Sequence, residues 1–424
     1  MKNQTIQKPS NNFWVSVIAL AGVPLIMVLG NSMLIPVLPD IKNALQLTSV
    51  QTSLLITLFS VPAGIIIPLA GFLSDRYGRK VVIIPSLILY GLGGIVAALA
   101  SIFLQESAYT GILIGRALQG IGAAGTAPIA MALCGDLFSG KQRSQSLGTI
   151  ESFNGLGKVI SPVLGSALGL ITWYTAFIFF PIVILPVVLG VWFFVKEDFD
   201  KSRKQDLKAY LGNFANVFKK NTGLLLASYL AGSIALMVLF GVLFYLSEYL
   251  EQQYGLDGII KGLYLAIPVL FMSSTSFITG FVIKGKRSLM KIFVVSGLAI
   301  MTGALIILPF INIFFWYFVA ISVVGIGTGL VLPALNTLIT STASIEERGL
   351  VTSLYGSVRF LGVACGPPIY GFLANKGVSL MFGSSSGLTL LGTILALLFI
   401  KRHNHNNTSV FSFAPLPARK PSKR

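Results

Sequence analysis

GFLSDRYGRK, residues Gly71 to Lys80, places one acid and three bases within ten residues, flanked by the apolar runs 51–73 and 81–101. Each run reaches the roughly 20 mostly apolar residues that a bilayer-crossing helix needs. The decapeptide therefore reads as a tight turn between two antiparallel spans, and Arg76, Arg79 and Lys80 mark the side on which it lies. Composition agrees: 54% of the 424 residues are hydrophobic and 11% are charged, with mean hydropathy +0.83, against roughly 25% charged residues in soluble proteins. So little charge cannot coat a water-facing surface. The formal net charge of +17 would suggest nucleic acid in a soluble chain, but here the bases crowd the short segments between apolar runs, which excludes that partner.

Working outward, further spans fall near 13–38, 109–135, 147–170 and 173–195, then, after the polar stretch Lys196 to Lys220, near 222–250, 260–283, 291–310, 314–341, 351–374 and 378–400. The expectation is an all-α polytopic membrane protein of about twelve helices in two six-helix bundles, 1–195 and 222–400. A basic linker, 196–221, joins them as a membrane-surface helix, and a disordered tail follows at 401–424. The run 13–38 is too long for a signal-peptide core and reads as a retained first span. With both termini cytoplasmic in a bacterial inner membrane, the outer loops hold only Lys42, Lys261 and Lys376 among bases, as the positive-inside rule requires. Cys134 and Cys365 lie in apolar stretches and are expected as buried free thiols. The two histidines, His403 and His405, sit in the tail, so no metal site or other cofactor is expected.

A shift of 205 residues superimposes the halves: Gly120 on Gly325, Gly122 on Gly327, Pro128 on Pro333, Arg143 on Arg348, Gly157 on Gly362 and Pro162 on Pro367. Two six-span repeats facing the same way imply a pseudo-twofold axis along the membrane normal, a substrate site near midplane, and alternating access by rocking of the halves.

The decapeptide also resembles the loop signature of the major facilitator superfamily. The resemblance implies a cytoplasmic latch of Gly71, Asp75 and Arg79, with Asp136 at the end of span four as the partner of Arg79. The second-half counterpart, Gly280 to Arg287, lacks the acid. RALQGIGAAG, Arg116 to Gly125, is similar to the fourth-span motif of proton-coupled members, whose buried arginine is tied to proton transfer; the alternative is an arginine that holds helices together through backbone groups. GKVISPVLG, with Gly157, Pro162 and Gly165, resembles the exporter signature of span five, with Ser161 in place of a glycine. Span eleven repeats the theme with Gly362, Gly366, Pro367, Pro368 and Gly371. Over 13–400 the chain resembles the twelve-span drug:proton antiporter-1 group, which implies efflux of small amphiphiles or drugs driven by the proton gradient.

Charges inside spans are functional hypotheses by default. Arg116, Glu151, Lys158 and Arg359 fall there, and Glu248 near the outer end of span seven. Glu151, Arg116 and Glu248 are the candidates for proton coupling. Lys158, Arg359 and Asn154, the repeat partner of Arg359, are the candidates for substrate binding. Three bases against one acid favour a neutral or anionic amphiphile, and keep open a dedicated exporter or flippase of one anionic metabolite or lipid. An enzyme or receptor finds no support in a catalytic pairing or nucleotide loop. The expected partners are a small-molecule substrate, protons and the bilayer, with the chain acting as a monomer.

Overall fold

The computed structural model describes residues 11–197, 207–283, 287–342 and 348–400. The expected disordered tail and residues 198–206 of the expected linker lie outside the described residues. All the regular elements described are helical. The first half comprises α1 (Asn11–Ser32), α2 (Leu38–Ala44), α3 (Ser49–Tyr77), α4 (Arg79–Phe103), α5 (Ala108–Ala124), α6 (Ala127–Leu137), α7 (Gly140–Gly169) and α8 (Thr175–Phe194). The second half comprises α9 (Leu207–Tyr254), α10 (Gly258–Ile283), α11 (Arg287–Ile307), α12 (Phe314–Thr342), α13 (Arg348–Ala374) and α14 (Val378–Phe399).

Ten segments among the described residues are long and apolar enough to cross a bilayer, counting α1–α2 and α5–α6 as one each. The other two long helices, α7 and α13, are more polar, carrying Glu151 and Lys158 or Arg359. With them the expected twelve crossings are complete. These two polar helices are repeat partners, and both lie against the other half of the molecule.

Local chemistry sets the boundaries. Thr48 and Gln51 form a reciprocal capping box at the start of α3, satisfying two otherwise unpaired amides. Gly78, at φ +109°, turns α3 directly into α4, a backbone conformation that residues with a Cβ rarely adopt. The Glu197 carboxylate accepts from the Arg79 and Lys80 amides at 2.8 Å each, placing an anion on the positive N-terminus of α4. The Lys80 ammonium returns the favour at the C-terminus of α8, donating to the Trp192 and Val195 carbonyls at 2.7 Å.

The repeat shows in the packing. A Cβ on Gly120 would lie 2.1 Å from the Phe59 carbonyl oxygen of α3, and one on Gly325 would lie 2.3 Å from that of Pro268 on α10. Gly122 meets α4 through Ser86, and Gly327 meets α11 through Gly297. Gly157 touches Leu25 of α1, and Gly362 meets the Ser233 carbonyl of α9. Helix axes approach this closely only where one side lacks a side chain. A Cβ on Gly165 would stand 1.9 Å from the Met33 carbonyl oxygen, so the exporter-type glycines seat α7 on the end of the first span.

Four expectations need correction. Span four is broken between Ala124 and Ala127. The amphipathic part of the expected linker is no separate surface helix, because α9 begins at Leu207 and runs unbroken into span seven. Cys365 is exposed, while Cys134 is buried with its thiol 2.8 Å from the Ser146 hydroxyl. Lys261, expected in a wetted loop, is 1% exposed.

Two seams join the halves, and the repeat makes them equivalent. In one, α3 lies against α13 from end to end: Gly371 approaches the Ser49 carbonyl, Thr57 donates to the Ala364 carbonyl at 2.8 Å, Ser357 donates to the Gly64 carbonyl, and Phe72 packs on Leu350. In the other, α10 meets α7 through Gly262, against Pro162 and Ser166, and through Gly258, against Leu170. Those contacts lie toward the end of the bundle that carries Lys42 and Lys261, the far end. Toward the opposite, basic end with Arg76, Arg79 and Lys80, a Cβ at Gly148, Gly155 or Gly280 would meet nothing within 4 Å.

Candidate functional site

The open part of the α7/α10 seam borders the stripe Glu151, Asn154 and Lys158, spaced three and four residues apart and so on one face of α7. Glu151 and Ser152 are exposed and Lys158 is partly buried. Glu151 was expected to be buried in the span. It faces open space because α7 has no neighbour there, and a carboxylate at that depth belongs in water rather than lipid. Glu151 and Lys158 are not in direct ion-pair contact among the described residues. Lys158 instead feels the charge of both neighbours, attracted by Glu151 and repelled by Arg359 of α13. The Arg359 guanidinium lies 5.3 Å from the centre of the Tyr355 ring, a cation–π distance. Asn154 Oδ1 and Arg359 Nε are buried and without a hydrogen-bond partner. Buried polar atoms are rarely left unpaired, and the exceptions point to water or a ligand. Lysine, arginine and amide from facing halves can together hold an anionic or polar group.

Arg116 is fully buried on α5. Its Nε donates to the Leu55 carbonyl of α3 at 2.8 Å, and one terminal nitrogen donates to the Gly30 carbonyl of α1 at 3.1 Å and to Gln119 Oε1 at 2.8 Å. Its guanidinium lies 4.4 Å from the centre of the Phe59 ring. No carboxylate bonds it among the described residues, so the geometry has Arg116 tying three helices through backbone groups. The second terminal nitrogen, Gln119 Nε2 and the Tyr90 hydroxyl remain unpaired.

At the basic end, Arg79 Nε donates to Asp136 Oδ2 of α6 at 2.5 Å, and a terminal nitrogen of Arg79 lies 3.1 Å from Asp75 Oδ1. The Asp75 carboxylate also reaches the first turn of α13, 3.7 Å from where a Cβ on Gly349 would stand, and Gly71 faces Ser353 of the same helix. The four latch residues thus form one cluster across the α3/α13 seam. Glu248 lies elsewhere, at the far end, paired with Lys42 across the halves. Phe177 and Phe180 are buried beside Tyr90 and Gly94 within the first half.

Sequence reasoning passed over Glu197, Asp40 and Glu251. Glu197 carries a faint signal, as the first acid after span six opposite the bases that open α4. Asp40 and Glu251 carry none, because each looks like an ordinary loop acid until the halves are assembled.

Comparison with known proteins bears on this geometry. A profile of the Major Facilitator Superfamily matches residues 20–364 and 291–420. The bacillibactin exporter of Bacillus subtilis (strain 168) is 44% identical over 387 residues, covering 91% of this chain and 96% of its own. The multidrug transporter protein MdtP of the same organism is 25% identical, with 79% and 70% covered. Among solved structures, a D-xylose-proton symporter superimposes with a TM-score of 0.75 at 11% identity, covering 92% of this chain and 98% of its own.

Proposed function

The chain belongs to the major facilitator superfamily, and from that premise we propose that it is a proton-coupled exporter dedicated to one anionic small molecule. It is a multi-pass membrane transporter of small molecules and not an enzyme. The observation that carries the narrower reading is that Lys158, one turn from Asn154 on α7, lies within electrostatic reach of Arg359 on α13, while Asn154 Oδ1 and Arg359 Nε are buried without a hydrogen-bond partner. The 44% relative, named for a single exported compound, favours dedicated export over polyspecific drug efflux, because the multidrug-type relative stands at 25%. The basic end faces the cytoplasm, as the distribution of lysine and arginine requires. The anion then enters along the open part of the α7/α10 seam and leaves at the far end once the halves have rocked. Glu151, exposed in that opening and coupled to Lys158, exchanges the proton.

The test is efflux from proteoliposomes of bacillibactin, the compound that names the relative, beside a panel of cationic dyes. The pH gradient and the membrane potential are imposed separately, since a potential moves each charge with about 2.3 kcal/mol per 100 mV. Dedicated export predicts movement of bacillibactin and not of the dyes, loss of movement in Lys158→Gln, and loss of the pH-gradient response in Glu151→Gln. Movement of dyes with no bacillibactin flux would restore polyspecific efflux.

A further inference from the structure

At the far end, two turns of the chain meet and five charges from both halves converge. The first half supplies Asp40 and Lys42 on α2; the second supplies Glu248 and Glu251 on the last turns of α9 and Lys261 at the start of α10. The Lys42 ammonium bonds Glu248 across the halves and also donates to the Ser49 hydroxyl at 2.9 Å. Asn43 reaches Glu251 at 3.4 Å, and the Ser247 hydroxyl donates to the Ile35 carbonyl at 3.0 Å. Lys261, 1% exposed, donates to Glu251 of its own half at 2.8 Å and lies 3.8 Å from Asp40 of the other.

The distribution of these charges is that of a joint that can part. A lysine this deeply buried is destabilising without a carboxylate, and Lys261 keeps Glu251 when the halves separate. Of the contacts that part with the halves, the one that joins two opposite charges in direct contact is Lys42 to Glu248, whose side chains are 23% and 20% exposed, so both partners rehydrate readily. The first half leaves with Asp40 and Lys42 in balance, and no deeply buried charge is stranded. A pair serving only the fold has no need of this partition.

We propose that this cluster is an ionic lock on the far end, with Lys42–Glu248 as the releasable bond and Lys261–Glu251 as its fixed support, setting how often the transporter opens on that side. The inference rests on the alternating-access reading above.

The test uses the full chain in lipid nanodiscs, with Cys134 and Cys365 replaced by alanine and serine, and spin labels on Gln46→Cys and Gln253→Cys. Both positions are exposed at the far end, one on each half. Lys42→Glu and Glu248→Lys each place like charges in contact. Each is expected to raise the population with a long label separation about fivefold, the lower range of measured coupling between sites. The double exchange, Lys42→Glu with Glu248→Lys, is expected to return the wild-type distribution. Singles that leave the distribution unchanged, or a double exchange that stays as open as the singles, overturn the lock. The readout needs no substrate, so a responding lock in a chain that exports nothing would sink the exporter reading alone.

Discussion

The α3/α13 and α7/α10 seams are copies of one another under the 205-residue repeat, yet they close differently. The first is packed along its whole length and ends in Asp75, Arg79 and Asp136; the second is packed at the far end and open toward the basic end. The last turn of α3 carries Asp75, whereas the second-half counterpart of the decapeptide, Gly280 to Arg287, has no acid. A carboxylate placed against the positive first turn of a neighbouring helix is attractive. The acid belongs to the seam that is packed throughout, while the other seam leaves the polar face of α7 accessible toward the basic end.

A disulfide survey gives the strongest contrast. A Cβ on Gly71 would lie 3.6 Å from the Ser353 Cβ, within the range that suits a disulfide. With the native cysteines replaced, the pair Gly71→Cys and Ser353→Cys should oxidise nearly completely, and Gly155→Cys with Gly280→Cys should stay reduced. Mass spectrometry of linked peptides reads both. Equal linkage in the two pairs would abolish the asymmetry.

Next in size is the chemical contrast. Lys158→Gln removes a charged hydrogen-bond donor worth about 1.5–3 kcal/mol, so export in proteoliposomes should fall roughly ten- to hundredfold. Asp75→Asn should leave substrate affinity unchanged and alter only turnover.

Packing comes third. Gly262→Leu drives a side chain into the Pro162 carbonyl and the Ser166 hydroxyl, both 2.7 Å from the new Cβ, and should cost about 1–3 kcal/mol in thermal unfolding. Gly64→Leu, facing the Ser357 carbonyl at 3.1 Å and the yielding Leu361 side chain, should cost less. The smallest effect belongs to the latch: Asp75→Asn should slow formation of the Gly71–Ser353 crosslink by an amount corresponding to about 0.3–1 kcal/mol. An unchanged rate would detach Asp75 from the seam.

The features that a sequence displays well are those imposed at close range. Gly120 with Gly325 and Gly157 with Gly362 were visible as a repeat because steric exclusion at a helix crossing admits nothing larger, whatever state the transporter occupies. Residues 71–80 were visible because a charged turn between apolar runs has few other uses. Glu151 and Lys261 read the wrong way round, the first expected to be buried and the second wetted. Which way a span charge faces depends on how the two halves lean together, and hydropathy along one helix holds no record of that. Asp40 and Glu251 were invisible for the same reason, their meeting point being made by assembly.

The unbroken course of α9 has a mechanical consequence. Its 48 residues make a rod of about 72 Å, more than twice the roughly 30 Å of a hydrocarbon core. From Leu207 onward the approach to the second half is therefore a stiff lever. When that half tilts, the overhanging end must sweep through the water beyond the lipid, and a fluorophore fixed there would magnify a rotation of a few degrees into a displacement of several ångströms.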